Sequence, residues 1–335
     1  MDDRIGNKQL RMRVACQEEA ASVIKDRMTI AAGGFTPAGY PKIIPRELVR
    51  RKEAGENLQL NLITSANVGP EIDDEMGRVG LIDRRIPLQG SQVMGQLINQ
   101  GKVNFVEIPI NKMPRLVQRG VFGKIDVAIV EALAITKEGY IVPSTSVGLV
   151  PHFVAQAEQV IVELNVAQPI ELEGIHDIYI PCLPPNKKPI PLYRTNQRIG
   201  EPFIRVNPEK ITYIVKSDVP DQAVKFTEDQ ASMQKISDNL LNFLEIEVNQ
   251  RLGGWLPPIQ SGMGNMANNI VAAFKKAKFD NLDFFCGILQ EANIELISMG
   301  KVRAASGVAF TPSTKALRLI RDNPDLSVAA KQGTL

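Results

Sequence analysis

Residues 28–55, MTIAAGGFTPAGYPKIIPRELVRRKEAG, decide the fold. The stretch opens on a short apolar run, MTIAA, and closes on KIIPRELVRRKEAG, whose apolar positions recur at helical spacing. Between them lies GGFTPAGYP, where Gly33, Gly34 and Gly39 permit tight backbone turns and Pro37 and Pro41 stiffen the loop. Strand, tight loop and helix in that order make one unit of an α/β protein.

Working outward, the same alternation repeats. QEEAASVIKDR reads as a helix ahead of the first strand; LQLNLIT follows as a strand, QVMGQLINQG as a helix, VNFVEIPI as a strand, MPRLVQRG as a helix and IDVAIVEA as a strand. QVIVELN and KITYIVKS complete the set. Short apolar runs separated by helices predict a mostly parallel open sheet with helices on both faces. The proline-rich IPCLPPNKKPIPL interrupts the pattern, and MQKISDNLLNFLEIEVNQRL reads as a long helix leading to a second glycine loop, PIQSGMGNMANN. The boundary falls near residue 220, giving a domain at 1–220 and the start of a second, similar one at 221–335. The last residues, SVAAKQGTL, carry no packing signal and are expected to fray.

Composition narrows the function classes. The 335 residues are 44% hydrophobic, enough for two cores. Lys and Arg number 39 against 37 Asp and Glu, with no long run of one sign, so neither nucleic acid nor a membrane surface is an expected partner. No apolar run reaches spanning length, and MDDRIGNKQLRMRV lacks the apolar core of a secretion signal. Cys16, Cys182 and Cys286 are too few and too scattered for a disulfide framework, which places the chain in the cytoplasm or an organelle matrix. His152 and His176 are the only histidines, and no metal site is expected.

The two glycine loops are the candidate sites, because backbone N–H groups point out of the carboxyl ends of parallel strands. The first is either a ligand cradle or a plain strand-to-helix turn. In the second, SGMGN opens the helix MANNIVAAFKKA, and the amides of Met263 and Gly264 are candidates to hold a developing negative charge.

Taken together the loops are more specific than either alone. GGFTPAGYP resembles the class I coenzyme A transferase signature G-G-F-x-x-x-G-x-P, with every fixed position present. In order along the chain, LNLITSAN, FGKIDVAIVEA, VIVELN and PIQSGMGNMANN are similar to further segments of that family. The likeness runs from about residue 15 to residue 325 and is nearest to the acetyl-CoA hydrolase/transferase branch, which includes succinyl-CoA:acetate and propionyl-CoA:succinate transferases. It implies a substrate pair of acyl-CoA and a small carboxylate, no metal or redox cofactor, and binding roles for Gly33, Gly34, Phe35, Gly39, Asn67, Gly262 and Asn265. It also implies a covalent route: a family glutamate attacks the thioester to give an acyl-glutamyl anhydride, CoA thiolate returns to form a glutamyl-CoA thioester, and an incoming carboxylate reverses the sequence.

Here the chain departs from the family. FFCGILQE, residues 284–291, aligns without a gap to the segment that carries the nucleophile, and Gly287 stands at the glutamate's position. Glu291 would lie ~6 Å further along a helix, too far to substitute. Cys286 takes a position where the family has a small side chain and reads as buried rather than reactive. Family members are also longer, with a second similar half. Asn67 replaces a usual serine, and Arg194 and Arg198 are candidates for a dicarboxylate or for ordinary salt bridges. Three readings follow: a CoA-transferase by descent, whether or not this chain turns over, a non-catalytic acyl-CoA binder, or a structural or regulatory partner that pairs with a complete paralogue; a homo-oligomer is the other expected assembly.

Overall fold

The computed structural model describes residues 2–66, 68–222, 231–310, 313–322 and 330–333. The first sheet is built from β1 (Thr29–Ala32), β2 (Leu60–Thr64), β3 (Ile82–Ile86), β4 (Asn104–Phe105), β5 (Ile125–Ile135), β6 (Ile141–Pro143), β7 (Ala157–Asn165) and, after the short β8 (His176–Asp177) that pairs elsewhere, β9 (Ile211–Ser217). Its order is β4-β3-β2-β1-β5-β7-β9, parallel throughout, with β6 added antiparallel to β5.

Alternation along the central strands sorts side chains to two cores. Ile30, Ala32, Val127 and Ile129 face one side with Ile44 and Leu48 of α2 (Ile43–Glu53), after a short α1 (Gln17–Ala21), and with Met76 of α3 (Met76–Arg78) and Met94 of α4 (Gln92–Asn99). Ala31, Ala128 and Val130 face the other, against Val117 of α5 (Met113–Gln118) and Phe153 of α6 (Val150–Gln156). Helices therefore cover both faces of a mostly parallel open sheet, as the alternating pattern predicts.

Beyond the long α7 (Ala231–Gln250), a second sheet forms from β10 (Leu282–Phe285), a two-residue β11 (Ile288–Leu289) that pairs separately, β12 (Val302–Gly307), β13 (Ala309–Phe310) and β14 (Ala330–Gly333). The order is β10-β12-β14-β8, all parallel, and β11 pairs with β13. α8 (Asn265–Ala273), α9 (Glu291–Ser298) and α10 (Thr314–Asp322) pack on it around Val271, Leu296 and Ile320. The fourth strand, β8, comes from before residue 220, so the two parts of the chain interleave. Part of the segment expected to fray supplies β14, drawn into register between β12 and β8. Among the described residues no helix is long and apolar enough to cross a membrane.

Candidate active site

The first glycine loop is held by acids that arrive on other strands. Glu163 of β7 accepts the backbone N–H groups of Lys42, Ile43 and Ile44 at 2.7, 3.0 and 2.7 Å, so a distant carboxylate caps the start of α2. Burial raises the Glu163 carboxyl, opposed by those three donors. Lys42, fully buried, reaches Glu131 of β5 at 2.6 Å, Asp221 at 2.8 Å and the Tyr40 carbonyl at 2.8 Å. Burial alone would lower its amine, but Glu131 and Asp221 outweigh that and hold it above its ordinary value. Glu131 itself is pushed up to about 7 by desolvation, with Lys42 acting against the rise. Ser144 and Asn165 donate to Glu131, while Thr145, Gln168 and the Gly39 amide donate to Asp221. A buried ion cluster needs this many donors, because each charge left without one costs several kcal/mol (order-of-magnitude).

The glycines serve that packing. Gly34, at φ +103°, has Tyr40 Cβ 2.4 Å from where its own Cβ would stand, and Gly39, at φ +59°, has Ser146 Oγ at 2.6 Å. Both positions need φ values that other residues rarely adopt. Gly33, Gly34, Phe35 and Gly39 are all buried, so the close approach these glycines allow is to the protein's own chain. Of the two readings of the loop, ligand cradle or plain strand-to-helix turn, the packing accounts for the glycines by the turn.

The second loop is open. A Cβ built on Gly262, Gly264 or Gly287 would meet nothing within 4 Å, and Met263 is 55% exposed. Gln290, fully buried, sets its shape: its Nε2 donates to the Gly262 carbonyl at 2.9 Å and its Oε1 accepts the Gly264 N–H at 2.8 Å. The Gly264 amide is thus committed and does not point at a ligand, which corrects its assignment as an oxyanion donor. The Met263 N–H has no acceptor among the described residues. Asn265 is the first residue of α8. Asn67 lies outside the described residues.

Gly287 sits in the connection between β10 and β11, and its carbonyl accepts from Val308 N at 2.9 Å. It is not at a helix start. Glu291, the first residue of α9, accepts a hydrogen bond from Ser313 and lies 3.9 Å from Lys315, so it shares no helical face with Gly287. Cys286 is buried, with Sγ 3.4 Å from the Ser261 amide. Gly287 is therefore bracketed by two residues, Cys286 and Gln290, that both touch the second loop. Its other neighbour, Ile288, packs with Phe35, Ala38, Ala66 and Ala309, which brings the first glycine loop against the same strand end. Arg198 is spent on the carbonyls of Gly174 and His176, whereas Arg194 lies apart, beside Tyr193 and Trp255.

Sequence reasoning assigned no role to Glu131, Glu163, Asp221 or Gln290. The signal was present for the first two: each sits inside an apolar run, VAIVEALAI and VIVEL, where an acid is unusual unless it is paired.

Residues 1–216 match the family model described as acetyl-CoA hydrolase/transferase N-terminal domain. The chain is 39% identical to a succinyl-CoA:acetate CoA-transferase of Clostridium kluyveri over 94% of its own length and 59% of the relative's. It is 32% identical to a propanoyl-CoA:succinate CoA transferase of Escherichia coli, over 92% of this chain and 64% of that protein. An acetyl-CoA hydrolase of Schizosaccharomyces pombe is 34% identical over 87% of this chain and 58% of its own length. The chain thus spans about three fifths of the length of these curated relatives. Among solved structures, RipA from Yersinia pestis superposes with a TM-score of 0.71 at 17% identity, covering 97% of this chain and 68% of that one, a likeness of fold. The expectation drawn from the two glycine loops and the strands between them is met: the chain belongs to the acetyl-CoA hydrolase/transferase family.

Proposed function

We propose that this chain binds acyl-CoA and small carboxylates such as acetate, propionate and succinate at the open loop 262–265 beside Gly287, and does not itself transfer CoA. The observation that carries the reading is Gly287: it is exposed, next to an open loop amide, and bears no side chain to attack a thioester. The relatives' names supply the substrate class, acyl-CoA and small carboxylic acids. On the covalent route that the family resemblance implies, a chain without the carboxylate forms no anhydride and no glutamyl thioester. Loss of a covalent nucleophile leaves only what binding and positioned dipoles supply, several orders of magnitude lower. Residues 1–220 would then hold the first loop in place and 221–335 present the open one. Three free thiols fit a reducing setting, the cytoplasm or an organelle matrix.

The experiment pairs CoA titration with exchange of labelled acetate into acyl-CoA on one preparation. Saturable CoA binding without exchange, and no mass increase on residues 284–291 after acyl-CoA and borohydride, is the expected result. Exchange above background, or an adduct on Cys286 or Glu291, would overturn it. Gly287→Glu should fold as the parent does, since nothing lies within 4 Å of the new Cβ. In that variant acyl-CoA and borohydride should label position 287.

A further inference from the structure

A cleft of about 470 Å³ opens beside β10, and its lining includes none of residues 262–265 and not Gly287. Its floor is Asp283, four residues before Gly287 and so up to ~13 Å back along an extended chain. The volume lies within the range of sites that take small molecules.

The lining is unusual for a surface. Trp255 is 54% exposed and Tyr193 83% exposed, and both border this cleft. Large rings left in water forgo the burial that ordinarily stabilises them, and the same wall carries Arg194 and Arg303. The charges are arranged for an anion. Asp283 is neutralised within the wall: Arg303 donates to it through Nε at 2.9 Å and again through Nη2, and the Thr195 hydroxyl donates at 2.5 Å. That leaves the Arg194 guanidinium, which has no acidic or carbonyl partner among the described residues, as the uncompensated charge of the cleft, with the Asn196 amide beside it. A second hollow of about 430 Å³ shares Trp255 and Arg303 with the cleft and is bordered by Lys278, also without an acidic partner among the described residues, and by Asp280, which lies 3.5 Å from Lys301.

Aromatic faces that stack on a flat ring, next to an unpaired guanidinium that forks onto phosphate, form a recognition set for one ligand class. We propose that this cleft binds a nucleotide, with its base against Trp255 and Tyr193 and its phosphate on Arg194. A flat ring without charge would leave Arg194 unused, and a bare phosphate would leave both rings in water. The chemistry is shared by a free nucleotide and by the nucleotide end of CoA, and the proposal stands whether or not the chain binds acyl groups beside Gly287.

The chain has a single tryptophan, so its fluorescence reads this cleft alone. Emission is followed while adenosine 3′,5′-bisphosphate, ADP, CoA, adenosine and inorganic phosphate are titrated separately, with equilibrium dialysis of labelled bisphosphate as a second measure. Saturable quenching by the nucleotides, with adenosine and phosphate alone much weaker, is expected. Arg194→Ala should weaken binding about tenfold or more, the usual worth of a charge-assisted contact. Trp255→Ala should weaken it in dialysis. Arg194 lies on an exposed loop, so its variant keeps the fold. Preference for bisphosphate and CoA over ADP identifies CoA as the source, and equal binding of ADP identifies a free nucleotide. No quenching and no dialysis signal at millimolar nucleotide, or undiminished affinity in Arg194→Ala, would overturn the proposal. If CoA then still bound by calorimetry, the reading of the Gly287 surface would stand without it.

Discussion

His152 and Glu131 are both buried titratable groups, and their environments push stability in opposite directions with pH. Both ring nitrogens of His152 are buried without a hydrogen-bond partner, and desolvation alone lowers its pKa from 6.5 to about 4. Between those values the unfolded chain holds a proton that the folded chain refuses, so stability is present above pH 6.5 and is lost as pH falls toward 4. The difference amounts to ~3 kcal/mol. Glu131, raised from 4.5 to about 7, has the reverse sign: its contribution is lost as pH rises through that window. His152→Leu removes the first, so the variant's urea stability relative to the parent's should grow as pH falls from about 6.5 toward about 4. At pH 7 it should be as stable as the parent or more so, since two unpaired polar atoms are gone. Identical pH slopes for parent and variant would refute the assignment. Neither group's behaviour is readable from sequence, because a lone His between Pro151 and Phe153 looks the same whether or not a partner reaches it. Gly287 is the contrary case. Its meaning came wholly from the family resemblance, and its place, in the connection between β10 and β11, came from the structure.

Elements with strong period and clear punctuation were legible: β1, β5, β7 and α2 fall where apolar spacing and the Gly–Pro loop place them. β3 was not, because IDRRI reads as polar; Arg85 is nevertheless fully buried, clamped on Asp73 and the Thr64 hydroxyl. The first helix ends at Ala21 instead of running to 27, since Ile24 turns into the core and Arg27 takes φ 64°. VNFVEIPI forms only the two-residue β4 before Pro109. The second loop was legible as a loop, but the residue that shapes it lies 26 positions from Gly264, on the far side of β10 and β11. Gln290→Ala tests that link. It strips a donor from the Gly262 carbonyl and an acceptor from the Gly264 amide. Stability should fall by about 1–3 kcal/mol. Cleavage by a nonspecific protease within 260–264 should speed up. A variant with the parent's unfolding midpoint and the parent's loop protection would show that Gln290 does not hold the loop.

At the scale of the whole molecule, the described part beyond residue 220 holds most of the exposed large apolar side chains, including Ile236, Phe243, Ile246, Leu252, Trp255, Met263, Met266 and Phe285. α7 has two apolar faces. Leu241 and Leu244 pack into the second core beside α8, while Ile236, Phe243 and Ile246 are exposed and Leu240 is half-buried between them. Positions 236, 240 and 243 recur at the spacing of a helix-pairing seam, with 246 beside it. We therefore expect the chain to self-associate through α7. Sedimentation velocity should show a monomer–dimer equilibrium that shifts with concentration. Replacing Phe243 with Lys and Ile246 with Glu should give a monomer whose unfolding midpoint at low concentration is close to the parent's, because neither side chain is in the core. A parent that sediments as a monomer at every concentration would exclude this face as a self-association surface. A dimer that survives the double substitution would place the contact elsewhere.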